Sequence, residues 1–166
     1  MTIRPAQESD LHAVSALERT VEDRRLAASY EVLRDRLLLH PDGFLVATDN
    51  GRIIGYLESI RWDGPQFERF DQIKDYEHMH RAEGRVLYLA FMAVDPAYRR
   101  RGAATQLLRA AEKMASTHNI QKLQLVALPH LLEFYRNRGF RYIRTLPDFL
   151  PATAGELMEK DVAPAQ

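Results

Sequence analysis

The chain has 166 residues, the size of one ordinary domain and enough to bury a core without covalent staples. Its 23 Lys and Arg balance 23 Asp and Glu, so zero net charge supplies no global field toward nucleic acid or anionic lipid. It contains no cysteine, which excludes disulfides, thiolate catalysis and cysteine-bound metal. The start Met1-Thr2-Ile3-Arg4-Pro5 has no apolar signal core, and no stretch approaches the ~20 apolar residues of a membrane helix. A cytoplasmic protein without membrane or nucleic-acid partners is therefore expected, as one domain over residues 1–161 with a tail at 162–166.

Thr2 to Pro5 reads as a first strand, and Ser9 is placed to cap a helix with Leu11, Val14 and Leu17 on one face. Ser29 caps a second helix carrying Leu33 and Leu37, which His40-Pro41 ends because the residue before proline avoids helical angles. Strands at Phe44 to Thr48 and Ile53 to Ile60 flank Asp49-Asn50-Gly51-Arg52, where Asn-Gly is a strong hairpin signal. Arg61 to Gly84 is irregular, with Gly64-Pro65 near its start and Trp62, Phe67, Phe70, Tyr76, His78 and His80 among its charges. It is too aromatic for simple disorder and reads as a binding flap.

Val86 to Val94 is an apolar strand stopped by Asp95-Pro96. Leu107, Leu108, Ala111, Met114 and Ala115 then recur at helical spacing. Between the two lies Arg99-Arg100-Arg101-Gly102-Ala103-Ala104. A helix opening near Ala103 offers unpaired N–H groups and the positive end of its dipole, and Gly102 lets a phosphate approach the backbone. On its own such a turn is more often a solvated basic surface. A dinucleotide loop would need three glycines after a first strand, and a triphosphate loop would end in Gly-Lys-Ser/Thr. Lys122 to Ala127 is a further strand, parallel to the preceding one across the helix. A short helix from His130 to Arg138, a left-handed cap at Gly139, and strands at Phe140 to Thr145 and Glu156 to Asp161 complete the series.

This order resembles the GNAT superfamily of N-acetyltransferases across nearly the whole chain. Arg99, Gly102 and Ala104 match the family's Gln/Arg-x-x-Gly-x-Gly/Ala loop, preceded by the family-like Met92-Ala93-Val94-Asp95-Pro96-Ala97-Tyr98. Phe134-Tyr135-Arg136-Asn137-Arg138-Gly139-Phe140 looks like the family's tyrosine helix, and Met158 to Val162 is similar to its terminal strand. The resemblance implies an α/β (α+β) acyl-CoA N-acyltransferase fold, a central mixed sheet of about six to seven strands flanked by about four helices. It implies acetyl-coenzyme A as cosubstrate and no metal. The pantetheine arm is expected on the backbone of Met92, Ala93 and Val94. The pyrophosphate is expected on Arg99, Arg100, Arg101, Gly102, Ala103, Ala104 and Thr105, with Tyr135 and Arg138 also at the coenzyme.

Tyr135 matches the family tyrosine that faces the coenzyme sulfur and protonates the departing thiolate. A glutamate that members often carry on the central strand is replaced by Ala90, so the general base stays open among Tyr88, Glu58, Glu83, His78 and His80. Leu128-Pro129-His130-Leu131 stands where relatives carry a pantetheine-contacting asparagine, so that contact is remade or absent. The expected reaction is direct acetyl transfer to a primary amine in a ternary complex. The alternative is a non-catalytic acyl-coenzyme A sensor or interaction module. In the flap Asp63, Glu68, Asp71, Asp75, Glu77 and Glu83 outnumber Arg69, Lys74 and Arg81, which favours a small cationic amine. A protein amine is the other acceptor class, and a homodimer is compatible with the chain. The flap aromatics are either cation–π walls for the amine or anchors to the core.

Overall fold

The computed structural model describes every residue except Glu22, Pro65, Gln66 and Lys74, so those positions of the flap and its charge tally lie outside the described residues. Its strands are β1 (Thr2–Pro5), β2 (Phe44–Asp49), β3 (Arg52–Trp62), β4 (Val86–Val94), β5 (Lys122–Ala127), β6 (Arg141–Leu150) and β7 (Thr153–Asp161). They form one mixed sheet in the order β1-β2-β3-β4-β5-β7-β6. The helices are α1 (Leu11–Glu18), α2 (Tyr30–Leu39), α3 (Tyr76–Met79), α4 (Ala103–Thr117) and α5 (Leu132–Arg136). The chain divides into two compact units, Met1–Ser59 with Phe91–Met114, and Ile60–Ala90 with Ala115–Gln166.

In the first unit β1, β2 and β3 pair antiparallel, and Asp49 opposite Arg52 leaves a two-residue turn. Asn50 and Gly51 both take positive φ, 47° and 77°, as a type I′ hairpin requires. The Asp95 amide donates to the Ile54 carbonyl at 2.8 Å, tying the end of β4 to β3. Leu11, Val14, Leu17, Leu33 and Leu37 pack with Phe44, Val46 and Tyr56, and Phe91 packs against that cluster. Ser29 caps α2 by accepting from the Val32 amide, as its sequence predicts. Ser9 does not cap α1. It lies inside a 3₁₀ turn, Glu8–Asp10, and Asp10 accepts from the Gln7 amide at 2.8 Å and from Arg4 at 2.7 Å. A carboxylate anchored by Arg4 holds the chain entry more strongly than a hydroxyl.

In the second unit β4 and β5 run parallel, and β7 pairs antiparallel with both β5 and β6. β6 extends to Leu150 and β7 starts at Thr153, longer than the sequence pattern indicates. Pro147 is tolerated because β6 is the edge strand, and Ala152 turns the chain at φ 57°. The segment after β7 is not wholly a tail, since Val162 is buried and its amide donates to the Gln121 carbonyl at 2.9 Å. Trp62, Phe67, Phe70 and Tyr76 of the flap are all buried, so these rings anchor the flap and are not exposed walls. Trp62 stacks on Tyr88 at 4.3 Å between ring centres and donates to Gln124 Oε1 at 3.0 Å.

Candidate functional site

The basic turn is built by a chain of local constraints. Asp95 accepts from the Ala97 amide at 2.9 Å and pairs with Arg52 at 2.8 Å, which fixes the 3₁₀ turn Pro96–Tyr98. The Arg52 and Arg101 guanidiniums then lie over the Tyr98 ring, 5.5 and 5.1 Å from its centre. Arg100 and Gly102 both take left-handed angles, φ 63° and 85°. The backbone thereby swings into α4, where the Gln106 amide donates to the Gly102 carbonyl at 3.0 Å. The Ala103 and Ala104 amides precede that bond and have no acceptor among the described residues. A Cβ at Gly102 would meet nothing within 4 Å, so the glycine serves the positive φ and leaves open space before the helix. Arg99, Arg100 and Arg101 are exposed around it.

β4 shows a second feature that suits a ligand. Its parallel pairing with β5 runs from Val86 to Tyr88. Ala90 through Val94 are half-exposed in an interior strand of the sheet. Met92, Ala93 and Val94, where the pantetheine arm is expected, belong to this half-exposed stretch.

Tyr135 sits on α5, edge-on to Phe134 and Phe140 at 5.0 and 5.7 Å. Its carbonyl accepts from the Arg138 and Phe140 amides, and Gly139 reverses the chain at φ 88°. The Tyr135 hydroxyl has no hydrogen bond among the described residues, and the side chain is half-buried. Burial pushes this phenol up to about 12, with the Arg138 charge working against it. Arg138 stacks over Phe134 at 3.5 Å and donates to the Phe134 carbonyl at 2.7 Å.

The base candidates separate by environment. Tyr88 is buried in its ring stack, which pushes its phenol well above the ordinary range, with Tyr76 adding to the rise. Glu83 is exposed in the turn before β4. His80 Nδ1 takes the Arg61 amide at 3.1 Å, and exposed His78 pairs with Asp75 at 2.5 Å. Among the described residues no group of three or more potential ligands stands together to hold a metal ion.

Glu58 differs from these. It is 1% exposed, and one oxygen accepts from Arg36 at 2.5 Å while Oε2 accepts nothing among the described residues. Burial pushes its carboxyl up, against the pull of Arg36. Glu18 at the end of α1 is buried beside it, accepting from the Tyr56 hydroxyl and, at 2.9 Å, from the Ala28 amide. Sequence reasoning missed Glu18 and Arg36, since each looks like an ordinary helix-surface charge. The available signal was a carboxylate on the last turn of an apolar helix, next to Leu17, where the dipole favours a cation.

Burial pushes the Glu18 carboxyl up to about 7, helped by the Glu58 charge and opposed by the Ala28 amide and Arg36. The folded value exceeds the ordinary 4.5, so between about pH 4.5 and 7 the folded protein holds a proton that the unfolded chain has lost. This contribution to stability is complete below the unfolded value and is lost as pH rises through 7, roughly 3 kcal/mol in all. Glu18→Gln should accordingly flatten the pH dependence of urea unfolding between pH 5 and 7. Parallel wild-type and variant curves would contradict that assignment.

The family model described as acetyltransferase (GNAT) family matches residues 11–140. The chain belongs to this family. No curated protein matches it significantly. Among solved structures, this GNAT chain is similar to the GphF GNAT-like decarboxylase in complex with isobutyryl-CoA, at 24% identity and TM-score 0.87 over 98% of this chain and 100% of that one. The loading GNATL domain of CurA from Lyngbya majuscula is 21% identical with TM-score 0.86, over 97% of each chain. The ribosomal-protein-S18-alanine N-acetyltransferase from Escherichia coli is 16% identical with TM-score 0.74, over 99% of this chain and 96% of that one. These likenesses establish the GNAT fold, and among the described residues no helix is long and apolar enough to cross a membrane.

Proposed function

We propose that this GNAT protein transfers an acyl group, acetyl in the first instance, from acyl-coenzyme A to a primary amine by direct attack. The observation carrying this reading is the turn Arg99–Thr105, where a left-handed glycine and the unaccepted Ala103 and Ala104 amides open α4 within a family-matched loop. Those donors and the exposed arginines suit a pyrophosphate. The half-exposed stretch of β4 from Met92 to Val94 is the place for the amide-bearing pantetheine arm that the family resemblance implies. The isobutyryl-CoA named for one structural relative supports a coenzyme A thioester as the donor.

The amine enters as an ammonium and must lose a proton before its lone pair can attack the thioester carbon. The C–N bond forms, the C–S bond breaks, and the thiolate takes up a proton. We assign Glu58 as the proton acceptor, in preference to Tyr88 in its ring stack and to exposed Glu83. Tyr135 is assigned to the departing sulfur. A phenol near 12 facing a thiol near 8.5 would transfer its proton uphill by about 5 kcal/mol, so its role is to donate a hydrogen bond to the thiolate. Tyr135→Phe should lower turnover by about 10–100-fold, short of the upper range for a full general acid, with acetyl-coenzyme A affinity kept. The phenol stays neutral below about pH 12, so the wild-type rate should show no decline from this group up to pH 10. A variant with parental turnover would remove Tyr135 from the reaction.

Thiol release from acetyl-coenzyme A, followed over a panel of polyamines, aminoglycosides, amino-acid derivatives and peptide amines, tests the reading as a whole. Amine-dependent release supports it. Coenzyme binding without release on any amine favours the non-catalytic module, and carbon dioxide released from a carboxylated acyl-coenzyme A without amine would make the chain a decarboxylase.

A further inference from the structure

Within the first unit, β4 lies against β3 at a residue that has no side chain. β3 carries one extra residue there, because its pairing with β2 steps from Gly55 opposite Ala47 to Ile53 opposite Thr48. Gly55 is buried and does not take a positive φ, so conformational freedom is not what this glycine supplies. Space is. A Cβ at Gly55 would lie 3.0 Å from the Ala93 carbonyl oxygen, 3.3 Å from Val94 Cγ2 and 3.6 Å from Leu107 Cδ1. The first two distances are tighter than ordinary carbon contacts, so β4 would have to give by a few tenths of an ångström. A glycine inside a strand marks such a close approach of another backbone. The three crowded residues belong to both parts of the coenzyme site. Ala93 and Val94 lie in the stretch of β4 assigned to the pantetheine arm, and fully buried Leu107 stands one turn after Ala103, where α4 opens at the basic turn. Beside Gly55, the Ile54 carbonyl accepts from the Asp95 amide at 2.8 Å, and Asp95 accepts from the Ala97 amide at the head of that turn.

We propose that Gly55 is a positioning residue for coenzyme A, which lets β4 and α4 close on β3 and so sets the spacing between the pantetheine stretch and the pyrophosphate turn. The proposal rests on the acyltransferase reading. Gly55 acts through Ala93, Val94 and Leu107, and its absent side chain is what brings them to their places. Pantetheine and pyrophosphate are covalently joined, so once one end of the coenzyme is held, the other is presented at a fixed reach. That advantage depends on both subsites being engaged together and falls when their spacing is wrong. Main-chain hydrogen bonds also weaken as distance and angle depart from their optimum. A side chain at position 55 should therefore penalise the whole coenzyme more than a fragment that occupies the turn alone.

Calorimetric titration of the full chain with acetyl-coenzyme A, and separately with 3′-phospho-ADP, the half of the coenzyme that carries the pyrophosphate, reads this difference. Gly55→Val should weaken acetyl-coenzyme A about tenfold and 3′-phospho-ADP less than about twofold. Gly55→Ala adds only the Cβ and should weaken acetyl-coenzyme A about threefold with 3′-phospho-ADP unchanged, and it decides the matter if Gly55→Val fails to fold. Urea unfolding of the same variants separates packing from positioning. Crowding alone lowers stability and leaves the ratio of the two affinities as in wild type. Equal losses of both ligands, or wild-type affinity for acetyl-coenzyme A in the folded variants, would overturn the proposal, as would a wild type that binds acetyl-coenzyme A with no affinity for 3′-phospho-ADP. A wild type that binds neither ligand would instead sink the acyltransferase reading, and the proposal with it.

Discussion

Gly102→Glu should weaken acetyl-coenzyme A binding at least about 100-fold, about 2.7 kcal/mol. Two effects add. Gly102 stands at φ 85°, where an L side chain costs roughly 1–2 kcal/mol, and the new carboxylate would face a pyrophosphate at the positive end of α4. Gly102→Ala separates them, because its Cβ meets nothing within 4 Å and leaves the backbone term alone. The alanine variant should lose only about 1 kcal/mol of stability and bind far better than the glutamate variant. Calorimetric titration of both checks this, and affinity equal to wild type in Gly102→Glu would move the site elsewhere.

The largest stability effect is expected at Arg36. Arg36→Met keeps an apolar stem but strands Glu58, and breaking a buried pair in this way costs about 3–5 kcal/mol at neutral pH. The loss should shrink in acid, as Glu58 takes up a proton. Arg34 on the same helix is the control. It pairs with Glu8 at 3.0 Å, but both side chains are largely exposed, so Arg34→Met should cost at most about 1 kcal/mol. Urea unfolding that ranked the two variants equally would contradict the burial argument.

These residues also mark how far the sequence could be read. Asn50-Gly51, Ser29 and His40-Pro41 act through their nearest neighbours, so their turn, cap and helix end were legible from local rules. The parallel strand at Lys122–Ala127 was legible from its crossover helix. Ser9 was misread because Arg4 lends its charge to Asp10, a contact that short-range capping rules do not weigh. The flap rings were ambiguous because their burial depends on partners such as Tyr88 and Phe149 that are distant in the chain. Glu18 and Arg36 were opaque for the same reason, and Glu58 stood only as one base candidate among several. Each charge has an ordinary surface explanation, and only long-range packing brings them together. The loop Arg99–Thr105 stood out because its chemistry is written in consecutive residues.

Amide hydrogen exchange with and without saturating acetyl-coenzyme A locates the coenzyme on the backbone. New protection is expected at the Arg100–Thr105 amides and along Met92–Val94, with the exposed hairpin turn at Asn50-Gly51 unchanged. Protection that bypasses Arg100–Thr105, or no change at any amide, would contradict it.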